Sequence, residues 1–71
     1  MEKYIITMKS GFAWTLTYDL GNYWIDGVQS PFGRTGDIRL TAQRVYDWRQ
    51  MDSSGYEDDD DVETIEPVTG V

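Results

Sequence analysis

Two runs of alternating side chains flank the tripeptide Lys9-Ser10-Gly11, and this pattern most constrains the fold. In Glu2 to Met8, residues Tyr4, Ile6 and Met8 share one face while Ile5 and Thr7 share the other. In Phe12 to Leu20, residues Phe12, Trp14, Leu16, Tyr18 and Leu20 oppose Ala13, Thr15, Thr17 and Asp19. A period of two in aromatic and β-branched residues predicts strands. Lys9-Ser10-Gly11 suits a three-residue hairpin loop with Gly11 in the left-handed position. That loop sets Met8 against Phe12, Ile6 against Trp14 and Tyr4 against Leu16, apolar on apolar throughout. A second turn at Gly21-Asn22 sets Leu20 against Tyr23, Tyr18 against Ile25 and Leu16 against Gly27, and places Trp24 on the more polar face. Three strands, over residues 2–8, 12–20 and 23–28, form a meander.

Gln29 to Asp37 (QSPFGRTGD) holds proline and two glycines among polar residues and reads as an exposed loop. Asp37 to Ala42 alternates Ile38, Leu40 and Ala42 inward with Arg39 outward, which predicts a fourth strand. Residues 41–51 admit two readings. Thr41 could cap a helix with Val45 and Trp48 spaced three apart. Alternatively, one helical turn at 41–45 leads into a fifth strand, 45–51, and the narrow apolar stripe of a helix favours this version. From Asp52 onward acids dominate and disorder is expected. The fold class is therefore mainly β. It would be a small antiparallel meander or SH3-like barrel of four to five strands over 1–51, followed by a disordered acidic tail over 52–71.

The net charge of −7 is unevenly shared. Residues 1–51 carry all six bases and five acids, whereas 52–71 carry eight acids and no base. Nine of the ten aromatics also precede residue 52, so core and acidity occupy different parts of the chain. A core of this size is marginal, and its large aromatics compensate. Homodimerisation through an exposed edge strand would be another source of stability.

The chain has no cysteine and no histidine. Disulfides, thiolate metal sites and the commonest general base are thereby removed. Asp19 and Asp26 read as solvated acids beside a hairpin. Gly33-Arg34-Thr35-Gly36 lacks the lysine and hydroxyl end of a phosphate loop. Asp58 to Asp61 lacks the spaced ligands of a calcium loop. The expectation is a non-enzymatic protein with no cofactor and no metal. No apolar run approaches the ~18 residues of a membrane span, and no signal peptide is evident, so a cytoplasmic location is expected.

Binding is the function class left. Trp24, Phe32, Tyr46 and Trp48 are candidate partner-binding aromatics, with Phe32 either an exposed loop anchor or a lid over the core. Glu57, Asp58, Asp59, Asp60 and Asp61 form a polyanion that could enter a partner's basic groove, gate the protein's own basic residues, or only solubilise. Arg34, Arg39, Arg44 and Arg49 in the second half, with Trp24, raise a single-strand nucleic-acid-binding alternative, opposed by the near-neutral core. Thr69-Gly70-Val71 fits a PDZ ligand, and Ser54 with Glu57 fits an acid-directed kinase site.

The pattern KYIITMKSG-FAWTLTYD, followed by RVYDW, resembles small phage-encoded early or accessory proteins of the inhibitor or anti-defence type, such as anti-CRISPR proteins. The resemblance covers residues 3–19 and, more loosely, 38–48. It implies a compact β fold working by stoichiometric binding to a host nucleic-acid-handling or defence protein, and it transfers no functional residues. A structural accessory protein with a merely solubilising tail is the remaining alternative.

Overall fold

A computed structural model of the chain describes residues 2–34, 36–51 and 60–68. It is mainly β: five antiparallel strands form one open sheet, and one helix covers one of its faces. The strands are β1 (Glu2–Met8), β2 (Ala13–Asp19), β3 (Asn22–Ile25), β4 (Val28–Gln29) and β5 (Val62–Pro67), and the helix α1 is Ile38–Met51. The order β4-β3-β2-β1-β5 is a four-strand meander with β5 added beside β1. Of the two architectures the sequence allowed, this is the meander.

The first hairpin has the expected register, with Ile6 opposite Trp14 and Tyr4 opposite Leu16. Gly11 sits at φ 97°, and its N–H donates to the Met8 carbonyl at 2.9 Å. The second turn lies one residue earlier than expected, which shifts the cross-strand register by two. Leu20-Gly21 forms it, at φ 54° and 83°, so Tyr18 pairs Tyr23 and Leu16 pairs Ile25. A slip of two leaves every side chain on its own face, so apolar alternation could not tell the registers apart. The expected strand 23–28 is likewise divided. Asp26-Gly27, at φ 48° and 85°, turns β3 into β4 and pairs Ile25 with Val28. This Asp-Gly pair is the hairpin signal that would have revealed the turn.

The expected fourth strand over 37–42 and fifth strand over 45–51 are both replaced by α1. Asp37, rather than Thr41, caps it: Oδ1 accepts from the Leu40 N–H at 3.1 Å and the carbonyl accepts from Thr41 N–H at 3.0 Å. The buried stripe is wider than Val45 and Trp48 alone suggest. Thr41, Ala42, Val45 and Tyr46 are buried and Ile38 and Trp48 half-buried, the spacing of one helix face. Leu40, which strand alternation placed inward, is 47 % exposed.

The expectation of disorder over 52–71 is corrected for 60–68; residues 52–59 and 69–71 lie outside the described residues. Val62 is buried opposite Met8, and Ile65 lies against Ile6. The core joins Ile6, Met8, Trp14, Leu16, Tyr23 and Ile25 of the sheet to Ala42, Val45 and Tyr46 of α1. Within it the Trp14 indole donates to Met8 Sδ at 3.2 Å and stacks on Tyr46 at 5.9 Å.

Candidate functional site

The helix leaves the other sheet face bare of any covering element among the described residues. Cross-strand pairing places Lys3, Ile5, Thr7, Ala13, Thr15, Thr17, Asp19 and Trp24 on that face. Ile5 is 37 % exposed there, and Trp24 is half-buried. The Trp24 indole N–H donates to the Asp19 carbonyl at 3.0 Å, which fixes the ring across the hairpin beside Thr17. Thr17, Asp19, Leu20, Trp24 and Gly27 line a shallow recess of about 220 Å³.

Leu20 is the unusual member of this patch. It is 82 % exposed, and it holds a left-handed backbone that costs an L-residue about 1–2 kcal/mol. Asn or Gly would adopt that conformation at less cost. The neighbouring loop passes close to the turn: a Cβ on Gly33 would stand 3.3 Å from the Gly21 carbonyl oxygen. The sequence placed Leu20 in a strand facing the core. Only the two-residue correction in register brings it to the tip, beside Trp24.

The expected partner-binding residues do not converge. Trp24 is on the bare face. Phe32 packs half-buried against the core, its N–H donating to Ser30 Oγ at 3.2 Å and its carbonyl accepting from Tyr23 N–H at 2.9 Å. Tyr46 is 5 % exposed and belongs to the core, and Trp48 packs half-buried on α1. Asp60 is tied into the fold: its carboxylate accepts from Ser10 N–H, Ser10 Oγ and Tyr46 Oη at 3.1, 2.7 and 3.3 Å. The Asp61 carbonyl accepts from Lys9 N–H at 2.8 Å. Glu57, Asp58 and Asp59 lie outside the described residues, as do Ser54 and Thr69-Gly70-Val71.

The arginines are dispersed as well. Arg34 lies over the Tyr18 ring, 4.2 Å from its centroid, and pairs with Glu2. Arg39 donates to the Val62 and Glu63 carbonyls at 2.9 and 3.2 Å, tying α1 to β5. Arg44 is exposed, and Arg49 lines a different recess beneath the sheet. A spacing of five residues turns Arg39, Arg44 and Arg49 to different sides of the helix. At the Arg34 cluster, the Tyr4 hydroxyl donates to Glu2 Oε1 at 2.8 Å. That bond, then the Arg34 contact, holds the Glu2 carboxyl below its ordinary value. The same bond raises the Tyr4 hydroxyl, while burial raises that of Tyr23.

Among the described residues, no group of three His, Cys, Asp or Glu side chains could hold a metal ion. No helix among them is long and apolar enough to cross a membrane. Comparisons with protein families, curated proteins and solved structures return no match to this chain.

Proposed function

We propose that this protein is a non-enzymatic binding module that docks a partner protein on the bare face of its β2–β3 hairpin, with Leu20 and Trp24 as anchors. The observation that carries this reading is Leu20. An 82 % exposed leucine in a left-handed turn gives its own fold neither burial nor backbone relaxation. Local conflicts of this kind gather where a chain is shaped for something outside itself. Beside it, Trp24 supplies the kind of aromatic that dominates binding hot spots.

Asp19 borders the recess, and Lys3 is the one base on that face among the described residues. With a chain charge of −7, such a surface complements an apolar patch rimmed by Lys and Arg. A basic nucleic-acid-handling protein of a host cell has that character, and the run from Glu57 to Asp61 adds long-range attraction to it. Inhibition by occupying that surface, in a host cytoplasm, is the form of the reading that fits the phage resemblance. The dispersal of Arg34, Arg39, Arg44 and Arg49 gives the single-strand alternative no continuous basic track.

The test uses three baits in a host lysate: the full chain, Leu20→Asn and Trp24→Ala, each verified as folded by circular dichroism. The expected result is a protein retained by the first bait and lost from both variants, eluting at moderate salt. Equal retention on all three baits would sink the proposal.

A further inference from the structure

A second recess lies on the opposite side of the β3–β4 hairpin, between its turn and the C-terminal end of α1. It measures about 230 Å³ and is lined by Phe12, Ile25, Asp26, Val28, Arg49 and Gln50. This is below the ~300–1,000 Å³ of sites for drug-sized ligands, and suits a single residue. Its apolar wall is partly open: Phe12 is 50 % and Val28 39 % exposed, although Ile25 beneath them belongs to the core. Phe12 is held in place by its ring contact with Tyr46 at 6.3 Å.

The charged groups of this recess are not spent on each other. Arg34 with Glu2 is the only ion pair among the described residues, so Arg49 and Asp26 face one recess without pairing. Arg49 is half-buried, and its side chain makes no hydrogen bond among the described residues. Asp26 Oδ1 accepts from the Thr15 N–H at 3.1 Å, which leaves Oδ2 free to accept another donor. A cation, a vacant carboxylate oxygen and an apolar wall around one small space define a complementary group. That group carries a carboxylate for Arg49, an N–H for Asp26 and an aliphatic side chain for Phe12 and Val28. The C-terminal residue of a peptide has all three.

We infer that this recess binds the hydrophobic C-terminal residue of a peptide or protein, with Arg49 on the terminal carboxylate and Asp26 on the last amide N–H. A fork of guanidinium donors suits a carboxylate, and capture of chain termini is an established mode of peptide recognition. The site lies on the other side of the sheet from Leu20 and Trp24, so it stands or falls separately from the docking proposed above.

The test is a titration of the full-length, isotopically labelled chain followed by amide shifts. The probes are N-acetyl-leucine, its C-terminal amide N-acetyl-leucinamide, and hexanoate, a free aliphatic carboxylate with no N–H. N-acetyl-leucine should shift Phe12 and Val28 saturably, with the other two at least about tenfold weaker. Arg49→Gln should weaken N-acetyl-leucine by about tenfold, while Arg44→Gln, on the same helix but outside the recess, should not change it. Equal binding of N-acetyl-leucinamide removes the carboxylate from the proposal, and equal binding of hexanoate removes the peptide. An unchanged affinity in Arg49→Gln, or no saturable shift with N-acetyl-leucine, overturns the site.

Discussion

Replacing Leu20 by Asn should make the folded protein more stable while removing the proposed docking anchor. The left-handed φ of 54° costs leucine about 1–2 kcal/mol. Asn followed by Gly21 is the favoured pair for a two-residue turn with both φ values positive, so about 1 kcal/mol should be recovered. Against this stands the contact that the leucine makes. Full burial of such a side chain contributes about 1.5–3 kcal/mol. At 82 % exposure, only about 0.4 kcal/mol of that is present. The net gain is about 0.5 kcal/mol, or about 2–4 °C in Tm for a domain of this size. Leu20→Ala separates the two contributions, because it loses the contact and keeps the strained backbone. It should fall about 0.4 kcal/mol below the parent, and thus about 1 kcal/mol below Leu20→Asn. Urea unfolding followed by circular dichroism on the three proteins resolves a difference of this size. Equal stability of Leu20→Asn and Leu20→Ala would refute the claim that the turn is strained.

Further outcomes follow from the same contacts. Arg39→Ala removes two donors from the β5 carbonyls and should cost about 1–3 kcal/mol. Amide exchange should accelerate in β5 more than in β2 and β3, and uniform acceleration would show that β5 is not held locally. Tyr46→Phe keeps the stacking on Trp14 but loses the hydroxyl contact with Asp60, and should cost about 0.5–1.5 kcal/mol in denaturant unfolding. An unchanged midpoint would mean that the contact contributes nothing. For Glu2 the folded pKa is lowered, so its stabilising contribution is complete above the ordinary value of 4.5 and is lost as pH falls through the folded value. Carboxyl NMR should place the Glu2 titration below 4.5, and Tyr4→Phe should move it upward; a titration at or above 4.5 in the parent contradicts the cluster.

How much of this was legible beforehand depended on whether a local rule had a competitor. The first hairpin was readable because its loop, its register and its apolar pairing all agreed at Gly11. In the second, the glycine of Leu20-Gly21-Asn22 could serve either turn position, and both registers kept Trp24 outward and Tyr23 inward. Sequence period alone therefore placed the Trp24 face correctly and still missed Leu20. The helix was lost because Ile38, Leu40 and Ala42 satisfy a period of two, while the helical stripe depends on Thr41 and Tyr46, whose polar atoms mask their burial. Composition hid β5: eight acids after residue 51 outweighed Val62 and Ile65, whose neighbours in 62–67 include just two of those acids. Of the candidate site, Trp24 was found by face, whereas the pairing of Leu20 with it needed the fold.

The edges of the sheet determine which surfaces remain for a partner. The Lys3 carbonyl accepts from the Val68 N–H at 2.9 Å, so Val68, Glu66 and Thr64 direct their backbone groups toward β1, and Ile65 and Pro67 direct theirs outward. Pro67 has no N–H to offer there, the arrangement by which edge strands avoid further pairing. At the other end of β5, the Val62 N–H donates to Gln43 Oε1 at 2.8 Å and its carbonyl is held by Arg39. Only the backbone around Ile65 is left between these two blocks. On the far side, β4 has two residues and runs into Pro31. A strand added to either edge, from a second copy or from a peptide, would meet a proline or have to displace helix side chains. Among the described residues, an added strand therefore finds little free backbone at either edge. What the fold presents instead is side chains on its two faces, Leu20 and Trp24 on one and the Arg49 recess on the other.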